Sequence, residues 1–343
     1  MPRRPPAVAK VLERVTKTAR EHHLFAPGDL ILVSCSGGPD SVCLLYSLWY
    51  LRRLFRIRLA VFHFDHKLRP DSAKDAVYVR RLAERLKLTF HLREASDRPE
   101  RGVSVEAWAT ARRGAASNDV RREIGAGATA EGHTLDDQAE TVLLNLIRGS
   151  GLEGMAGIDP GPGERARILQ PLLDVARDEV EAFCGALHLR PRRDPMNEDR
   201  RYLRAAIRHE VLPVLEAKTG RGVTRSIVRT ADLLRADRDE LNAAAVAAYR
   251  ETIESERGGE VRFDARKLTA LPPPVASRVI RLAVYDALSG DWAAPWSKEA
   301  IEAVLDLAEG RPRRRRDLPE GLKAVREKGY VRVTRSSPDP RES

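Results

Sequence analysis

The sequence predicts an α/β fold in which a doubly wound parallel sheet is followed by a helical linker and a small, mainly helical C-terminal domain. Short apolar and β-branched segments alternate with segments of helical spacing through the first half of the chain, as in parallel sheets with crossover helices. A glycine loop joins the first strand to the next helix, and a long Ala- and Leu-rich stretch follows Pro213. The 343 residues, 42% of them hydrophobic, are enough for about two domains with cores of their own.

The first half of the chain supplies the elements of the predicted sheet. The expected strands are residues 30–33, 57–64, 88–92 and 126–131. The expected helices are residues 42–49, 75–86, 104–123 and 136–147. Ligands bind at the carboxyl ends of the strands in sheets of this kind, so we expect functional residues in the segments that follow the strands.

The second half is expected to hold a linker and a smaller domain. Helices are predicted at residues 227–254, 275–288 and 297–308, and a hairpin at residues 322–326 and 331–335. The expected limits are 1–218 for the sheet domain, 219–256 for the linker, 257–335 for the C-terminal domain and 336–343 for a disordered tail. The basic run at residues 311–316 is interpreted as a solvated loop, and Trp292 and Trp296 as packing residues.

Ser36-Gly37-Gly38-Pro39-Asp40-Ser41 follows the first predicted strand and has the composition of a phosphate-binding loop. Adjacent glycines let backbone N–H groups approach an anion, the serines add hydroxyl donors, and the next helix N-terminus favours negative charge. The Gly-Lys-Ser/Thr ending of a Walker loop is missing. Such a loop suits pyrophosphate as a leaving group and AMP-forming chemistry. An ordinary turn is the alternative interpretation.

Polar residues also follow two other predicted strands. His63 to Arg69 brings imidazole, carboxylate and guanidinium groups to one strand end. Further along, His133, Asp136, Asp137 and Glu140 are spaced so that one helix face or its entry turn presents a histidine and three carboxylates. That face suits Mg²⁺ bound against phosphates, and it also suits an ammonium group. A helix cap at Thr134 with acids in the first turn is the alternative, and the two interpretations are compatible.

Composition narrows the class of protein. A formal net charge of +10 favours a polyanionic partner. Cys35, Cys43 and Cys184 form no Cys-x-x-Cys pair, which argues against a disulfide framework, a zinc ribbon or an iron–sulfur site. No run of about 18 uncharged apolar residues occurs. We therefore expect a cytoplasmic protein without a membrane partner.

Taken in order, these motifs resemble the tRNA(Ile)-lysidine synthase family, which belongs to the PP-loop ATP pyrophosphatase superfamily. The resemblance runs from about residue 28 to residue 216, through residues 36–41, 63–69, 132–141, 148–151, 170–173, 193–197, 202–204 and 207–209. It implies a Rossmann-like sheet of the PP-loop, or adenine nucleotide alpha-hydrolase-like, type. It also implies that the small C-terminal domain contacts tRNA.

The resemblance implies a ligase that forms a C–N bond in two steps. ATP adenylates O2 of the wobble cytidine in a tRNA(Ile) with a CAU anticodon and releases pyrophosphate. The ε-amine of free L-lysine then attacks C2 and expels AMP. The implied cofactors are ATP and Mg²⁺, and the implied partners are the tRNA and lysine. The sequence does not fix the oligomeric state, and a homodimer is one option.

The resemblance and the motif chemistry together give three sets of expected site residues. The ATP-binding residues are expected to be Ser36, Gly37, Gly38, Pro39, Asp40, Ser41, His63 and Asp65. The catalytic residues are expected to be Asp40, His133, Asp137 and Glu140, with Asp40, Asp137 and Glu140 as Mg²⁺ ligands. The substrate-binding residues are expected to be Arg69, Glu106, Arg112, Arg113, Asp136, Asn197, Arg204 and Arg208.

Three positions depart from the family pattern. Thr110 and Gly114 stand where Arg and Tyr are expected, and Ala205 stands where Asn is expected. These changes bear on tRNA or lysine handling more than on ATP binding. Two alternatives therefore stay open, namely another PP-loop tRNA modification such as thiolation, and a catalytically impaired RNA-binding relative.

Overall fold

The computed structural model describes residues 4–100, 102, 104–161, 167–192, 203–220, 222–257, 260–287, 297–310 and 314–335. The chain divides into two compact units, Met1–Leu234 and Arg235–Ser343. The first unit contains a parallel sheet, and the second contains an antiparallel sheet.

The first unit begins with a helix and then alternates strands with helices. Its strands are β1 (Leu30–Ser34), β2 (Arg58–Asp65), β3 (Thr89–Glu94), β4 (Ala128–Ala130) and β5 (Ile168–Leu169). Its helices are α1 (Pro6–Glu21), α2 (Pro39–Phe55), α3 (Ser72–Leu86), α4 (Val105–Glu123), α5 (Leu135–Ile147), α6 (Leu152–Met155), α7 (Arg177–Ala186), α8 (Leu203–Ala206) and α9 (Leu212–Thr219), with a π-helical turn at Ile207–Val211.

All neighbouring strands of this sheet are parallel, in the order β3-β2-β1-β4-β5. The parallel sheet predicted from the sequence is confirmed. Strand β5, which has only two residues, was not predicted because so short a segment gives no periodic signal. The order reverses between β1 and β4, and the crevice at such a reversal is where doubly wound sheets bind ligands.

The strands bury side chains on both faces of the sheet, as the period of two requires. Ile31 and Val33 pack into the apolar layer shared with α1, α2, α3 and α7. Leu32 and Phe62 pack with Val120 of α4 on the other face. Helices on both faces leave the carboxyl edge of the sheet as the place where polar loops gather.

The second unit combines helices with an antiparallel sheet. The long helix α10 (Val223–Thr252) contains the division between the units. It is followed by β6 (Ile253–Arg257), β7 (Glu260–Asp264), α11 (Ala265–Thr269), α12 (Pro273–Ala287), α13 (Lys298–Glu309), β8 (Arg315–Leu318), β9 (Leu322–Glu327) and β10 (Tyr330–Arg335). The strand order is β6-β7-β10-β9-β8.

The predicted hairpin is present as the antiparallel pair of β9 and β10, and α10, α12 and α13 occupy the predicted helical stretches. Strands β6, β7 and β8 add more sheet than the sequence predicted. Arg315 and Arg316 lie in β8, opposite Val325 and Ala324 of β9, and not in a solvated loop. The sequence analysis did not identify this strand because a run of arginines is typical of a solvated loop. An edge strand, however, also tolerates exposed arginines.

Some expectations fall on residues that the structure does not describe, namely Trp292, Trp296 and the tail at residues 336–343. Within the described ranges, no helix is both long and apolar enough to span a bilayer.

Candidate active site

A cavity of about 830 Å³ lies at the carboxyl edge of the parallel sheet in the first unit. Segments that follow β1, β2 and β4 reach it, and its lining mixes acids with arginines. The acids are Asp40, Asp65, Asp75, Glu131, Asp137 and Glu181, and the arginines are Arg69, Arg113, Arg177, Arg192, Arg204 and Arg208. No lysine is among the described residues that line it.

Serine hydroxyls hold the loop between β1 and α2. Gly37 has a φ of +93°, a conformation that glycine adopts without strain. Its N–H donates to Ser41 Oγ at 3.1 Å, and the Gly38 N–H donates to Ser36 Oγ at 3.3 Å. Ser41 Oγ donates to the Gly38 carbonyl at 2.9 Å. The loop leads directly into α2, whose N-terminal end favours negative charge.

The segment after β4 runs against the start of α2. A Cβ atom built on Gly132 would lie 3.1 Å from the carbonyl carbon and oxygen of Asp40 and 3.3 Å from the Ser41 nitrogen. Any side chain at this position would therefore push the two segments apart. Glycine permits the close approach that brings the neighbouring His133 to the same cavity as the phosphate loop.

Asp40, in the first turn of α2, carries a poorly satisfied carboxylate. Its Oδ1 is shielded from solvent and has no hydrogen-bond partner among the described residues. Burial, and then the charge of Asp137, raise the pKa of Asp40 from 3.8 to about 6, although Arg177 and Arg208 oppose the shift. A cation bound at this carboxylate, or a proton, would relieve both causes of the shift.

His63 and Asp65 follow each other on one face at the end of β2. His63 is buried, and its Nδ1 lies 2.8 Å from the Cys35 carbonyl. Because a carbonyl only accepts, Nδ1 carries the proton. Burial lowers the pKa of His63, so the ring is neutral near pH 7. Asp65 Oδ1 accepts the Lys67 N–H at 2.8 Å. The cavity wall beside the loop thus has one neutral imidazole and one fixed carboxylate.

The start of α5 combines a helix cap with the cavity wall. Thr134 is the N-cap, and its N–H and Oγ donate to Asp137 Oδ2 at 2.9 and 2.8 Å, completing a capping box. Burial raises the pKa of Asp137, but His133, Arg204 and Arg177 outweigh burial and lower it overall. Asp137 is therefore ionised near pH 7, and it serves as a cap residue and as a cavity residue.

Glu140 lies one turn further along α5 and has no exposed surface. Arg208 donates from Nε to Oε1 at 2.6 Å and from Nη2 to Oε2 at 2.8 Å, while Arg204 Nε donates to Oε2 at 3.0 Å. Both arginines also donate to Asp137 Oδ1, and an Arg177 Nη2 lies 3.6 Å from each acid. This bidentate pairing fixes the segment that begins at α8 against α5.

His133 has an acidic neighbour that the sequence analysis did not select. Its Nε2 lies 3.6 Å from Glu131 Oε2, and Arg113 Nε lies 4.0 Å from Glu131 Oε1. Burial raises the pKa of Glu131, but the contacts with His133 and Arg113 lower it overall. The backbone N–H of His133 donates to Gln170 Oε1 at 3.4 Å. Glu131 is therefore an ionised acid beside the imidazole.

Most of the sequence-predicted site residues meet in this cavity. Those that line it are Ser36, Gly38, Pro39, Asp40, Ser41, His63, Asp65, Arg69, Arg113, His133, Asp137, Arg204 and Arg208. Gly37 lies within the loop, Glu140 lies behind the wall, and Asp136 Oδ2 accepts the Arg177 N–H at 2.8 Å. Arg112 pairs instead with Asp97.

Other residues complete the account of the cavity. The side chain of Glu106 and the whole of Asn197 lie outside the described part of the structure. Thr110 and Ala205, two of the departures from the family pattern, line the cavity. Sequence reasoning missed Asp75, Glu131, Arg177 and Arg192, which also line it.

The fit to Mg²⁺ differs among the three expected ligands. The described residues contain no group of three or more His, Cys, Asp or Glu side chains that could hold a metal ion. Oxygens of Asp137 and Glu140 are bonded to arginines or to Thr134, whereas Asp40 has an oxygen without a described partner. Mg²⁺ commonly takes one or two carboxylates together with substrate phosphates, and Asp40 beside the loop fits that donor set.

Comparison with known proteins shows extended similarity. A family model described as a PP-loop domain matches residues 8–215, a range that includes every residue lining the cavity. The tRNA(Ile)-lysidine synthase of Symbiobacterium thermophilum is 38% identical over 341 residues, which are 96% of this chain and 70% of that relative. The tRNA(Ile)-lysidine synthase of Thermobifida fusca is 36% identical over 339 residues, which are 96% of this chain and 98% of that relative.

A solved structure shares the fold. The U34-tRNA thiolase NcsA from Methanococcus maripaludis matches with a TM-score of 0.57 at 20% sequence identity. The match covers 67% of this chain and 79% of that one. At this identity the likeness shows a common fold alone.

Asp40→Asn is expected to stabilise the protein above pH 6. A folded pKa of about 6 against 3.8 means that the folded state binds more protons between about pH 4 and 6, so stability falls as pH rises through that window and stays reduced above it. Removing the charge should therefore raise the free energy of unfolding at pH 7.5 by about 1–3 kcal/mol.

Urea unfolding of wild type and Asp40→Asn between pH 4 and 8, in buffer with EDTA, measures this difference. Asp119→Asn, at an exposed acid of α4, controls for loss of one carboxylate. A constant difference across the whole pH range would contradict the assigned environment of Asp40.

Glu140→Gln is expected to lower the free energy of unfolding by about 3–5 kcal/mol, because it removes the buried countercharge of two guanidiniums. The second substitution in Glu140→Gln/Arg208→Met should recover part of this loss. Urea unfolding of both variants and of Glu13→Gln, at an exposed acid of α1, measures the effect. Equal stability of wild type and Glu140→Gln would show that the pairing is not structural.

Proposed function

Because this chain belongs to the tRNA(Ile)-lysidine synthase family, we propose that it joins free L-lysine to C2 of the wobble cytidine in a CAU-anticodon tRNA(Ile) at the expense of ATP. In the first step, cytidine O2 attacks the α-phosphorus of ATP and pyrophosphate leaves. In the second, the ε-amine of lysine attacks C2 and AMP leaves. The observation that carries the proposal is the single cavity in which the phosphate loop, Asp40 and His133 meet.

The phosphate loop and the α2 N-terminus provide the site for the ATP phosphates. The N–H groups of Gly37 and Gly38 donate to the hydroxyls of Ser41 and Ser36 in this structure, and on ATP binding these groups would exchange those contacts for phosphate oxygens. Asp40, with its unpartnered oxygen beside the loop, is the residue that would hold Mg²⁺, which neutralises phosphate charge when bound.

The end of β2 suits the nucleoside part of ATP. His63 is neutral and fixed to the Cys35 carbonyl, and Asp65 is nearly buried and fixed to a backbone amide. His63 is neutral and Asp65 is an acid, so neither side chain places positive charge close to the loop. We assign these two residues to binding and orienting the nucleoside, since they line the same cavity as the loop.

His133 is the proposed base of the second step. The attacking amine must lose a proton, and a partly exposed imidazole held by an ionised carboxylate is suited to accept it. Glu131 provides that carboxylate, while Asp137 stays ionised and holds the arginines that line the cavity. Glu140 is assigned a positioning role, because both of its oxygens are bonded to arginines.

The tRNA is the proposed polyanionic partner. A net charge of +10 favours binding to a nucleic-acid backbone. Arg113, Thr110 and Ala205 line the cavity and are assigned to the face that receives the wobble cytidine. Residues 257–335 are proposed to contact other parts of the tRNA. A cytoplasmic location, where ATP, lysine and tRNA occur together, fits this activity.

Thiolation is the alternative PP-loop reaction, and the burial of the cysteines argues against it. Cys35, Cys43 and Cys184 are all buried. Burial raises the pKa of Cys35 from 9.0 to about 11 and that of Cys184 to about 12, and it raises the pKa of Cys43 as well. None of the three thiols is therefore an accessible thiolate that could carry sulfur.

Labelled lysine is expected to enter RNA only when the protein, ATP and unmodified CAU-anticodon tRNA(Ile) are all present. Because AMP leaves in the lysine step, sustained AMP release should also require lysine. Acid-precipitable label and thin-layer analysis of the nucleotides measure both. A tRNA(Ile) whose wobble base is not cytidine serves as the matched control and should take up no label.

Sustained AMP release without lysine would contradict the proposal. Tight binding of the tRNA without any nucleotide turnover would instead favour the catalytically impaired RNA-binding relative. Transfer of labelled sulfur to the tRNA would establish thiolation.

His133→Ala is expected to slow lysine transfer by about 10²–10⁴-fold, the usual contribution of a general base. tRNA-dependent exchange between pyrophosphate and ATP should persist, because that exchange reports the first step alone. His91→Ala, on β3 and away from the cavity lining, is the matched control and should leave both rates unchanged. Equal losses in both steps would show that His133 is needed for adenylation and is not specific to the amine.

A further inference from the structure

The phosphate loop carries no cation of its own. Its six residues include neither lysine nor arginine, and no lysine is among the described residues lining the cavity. Positive groups stabilise the charge that develops on a leaving pyrophosphate. Any such side chain in this cavity comes from a segment outside the loop.

Arg192 is one such group, and the chain fixes it to the loop. Its backbone N–H donates to the Gly37 carbonyl at 2.9 Å. A Cβ built on Gly37 would lie 3.7 Å from Arg192 Cγ, so the arginine side chain starts directly beside the loop. Arg192 comes more than 150 residues after Gly37 in the sequence, and the shared backbone bond is what brings them together.

Asp75, in the first turn of α3, joins Arg192 to a second arginine. Arg192 Nε donates to Asp75 Oδ1 at 2.8 Å, and Arg69 Nη2 donates to Asp75 Oδ2 at 2.8 Å. The Asp75 side chain is 12% exposed, whereas those of Arg69 and Arg192 are 25% and 40% exposed. One nearly buried carboxylate thus holds two accessible guanidiniums, and all three residues line the cavity with Ser36 and Gly38.

This pairing differs from the one around Glu140. There, Arg204, Arg208 and the more distant Arg177 surround Glu140 and Asp137. Around Asp75, one of the two arginines, Arg192, is also bonded to the backbone of the phosphate loop at Gly37. A guanidinium fork binds phosphate oxygens bidentately, so the arrangement suits an anion of high charge density.

We propose that Asp75 is a positioning residue that holds Arg69 and Arg192 against the phosphate loop, where the two guanidiniums bind the β- and γ-phosphates of ATP and the departing pyrophosphate. The inference rests on the proposed function for its substrate. Asp75 itself does not touch the phosphates. Its role is to hold the two arginines, which come from separate segments, through its two carboxylate oxygens.

Asp75→Asn tests the proposal, with Asp71→Asn as the matched control. Asp71 is an exposed acid at the N-cap of the same helix, makes no side-chain cap hydrogen bond, and lies 4.0 Å from Arg69. Titration calorimetry with inorganic pyrophosphate and with ATP, in buffer containing Mg²⁺, should show about tenfold weaker binding for Asp75→Asn. The KM for ATP should rise by a similar factor with the KM for lysine unchanged, and Asp71→Asn should match wild type.

A variant pair separates positioning from a general structural effect. In an Arg69→Gln/Arg192→Gln background, pyrophosphate binding is expected to be weak already, and adding Asp75→Asn should change it little. An undiminished further loss in that background would overturn the proposal, as would wild-type pyrophosphate affinity in Asp75→Asn. If Asp75→Asn does not fold, the single variants Arg69→Gln and Arg192→Gln test the proposal instead. Wild-type pyrophosphate affinity in both of them would overturn the proposal.

These measurements do not depend on lysine transfer. A protein that binds pyrophosphate through Asp75, Arg69 and Arg192 but transfers no lysine would refute the proposed function and leave this inference standing. A protein that transfers lysine normally, with pyrophosphate affinity unchanged by Asp75→Asn, would refute this inference and leave the proposed function standing.

Discussion

The pairing of Glu140 with Arg208 and Arg204 is the constraint on which the rest of the cavity depends. A carboxylate with no exposed surface is strongly unfavourable unless it is paired and hydrogen-bonded. The segment from α8 to α9 must therefore dock on α5 for the first unit to be stable. A π-helical turn, with the Leu212 N–H bonded to the Ile207 carbonyl, lies just before Pro213. Pro213 has no N–H to donate to the preceding turn, and it lies in the first turn of α9, where an α-helix tolerates that loss.

The same docking sets the electrostatics of the site. Glu140 and Asp137 are paired with arginines, whereas burial and the charge of Asp137 raise the pKa of Asp40 more than Arg177 and Arg208 lower it. Such destabilisation is typical of groups kept for function. The acids of the cavity therefore differ in their partners, since Glu140, Asp137 and Asp75 hold arginines whereas Asp40 has an oxygen without a described partner. The distinction depends on partners and is invisible in residue type.

The sequence predicted the parts of this site that are local along the chain. The loop before α2, the cap at Thr134 and the polar ends of β2 and β4 each follow from residues within a few positions of one another. The sequence did not indicate Asp75 and Arg192 as site residues, because they are 117 positions apart and neither belongs to a local motif. Glu140 was expected to be a catalytic residue and a Mg²⁺ ligand, and its pairing with arginines of a distant segment is the basis for the positioning role proposed above. In the second unit, charged strands such as β8 hid the sheet, since edge pairing is set by backbone bonds and gives little periodic signal.

The use of arginine as the cation of this cavity agrees with a proposed co-substrate that is itself an amine. A lysine side chain beside the adenylated cytidine would have the same nucleophile as free lysine and would compete for the same carboxylates. Arginine stays protonated, is not nucleophilic and binds both carboxylate and phosphate with a planar fork. The chain has no lysine between Lys87 and Lys218, the stretch that contributes His133, Arg177, Arg192 and Arg208. Some of these arginines pair with buried acids, and others are proposed to bind the phosphates. Arginine thereby meets both demands without introducing a competing amine.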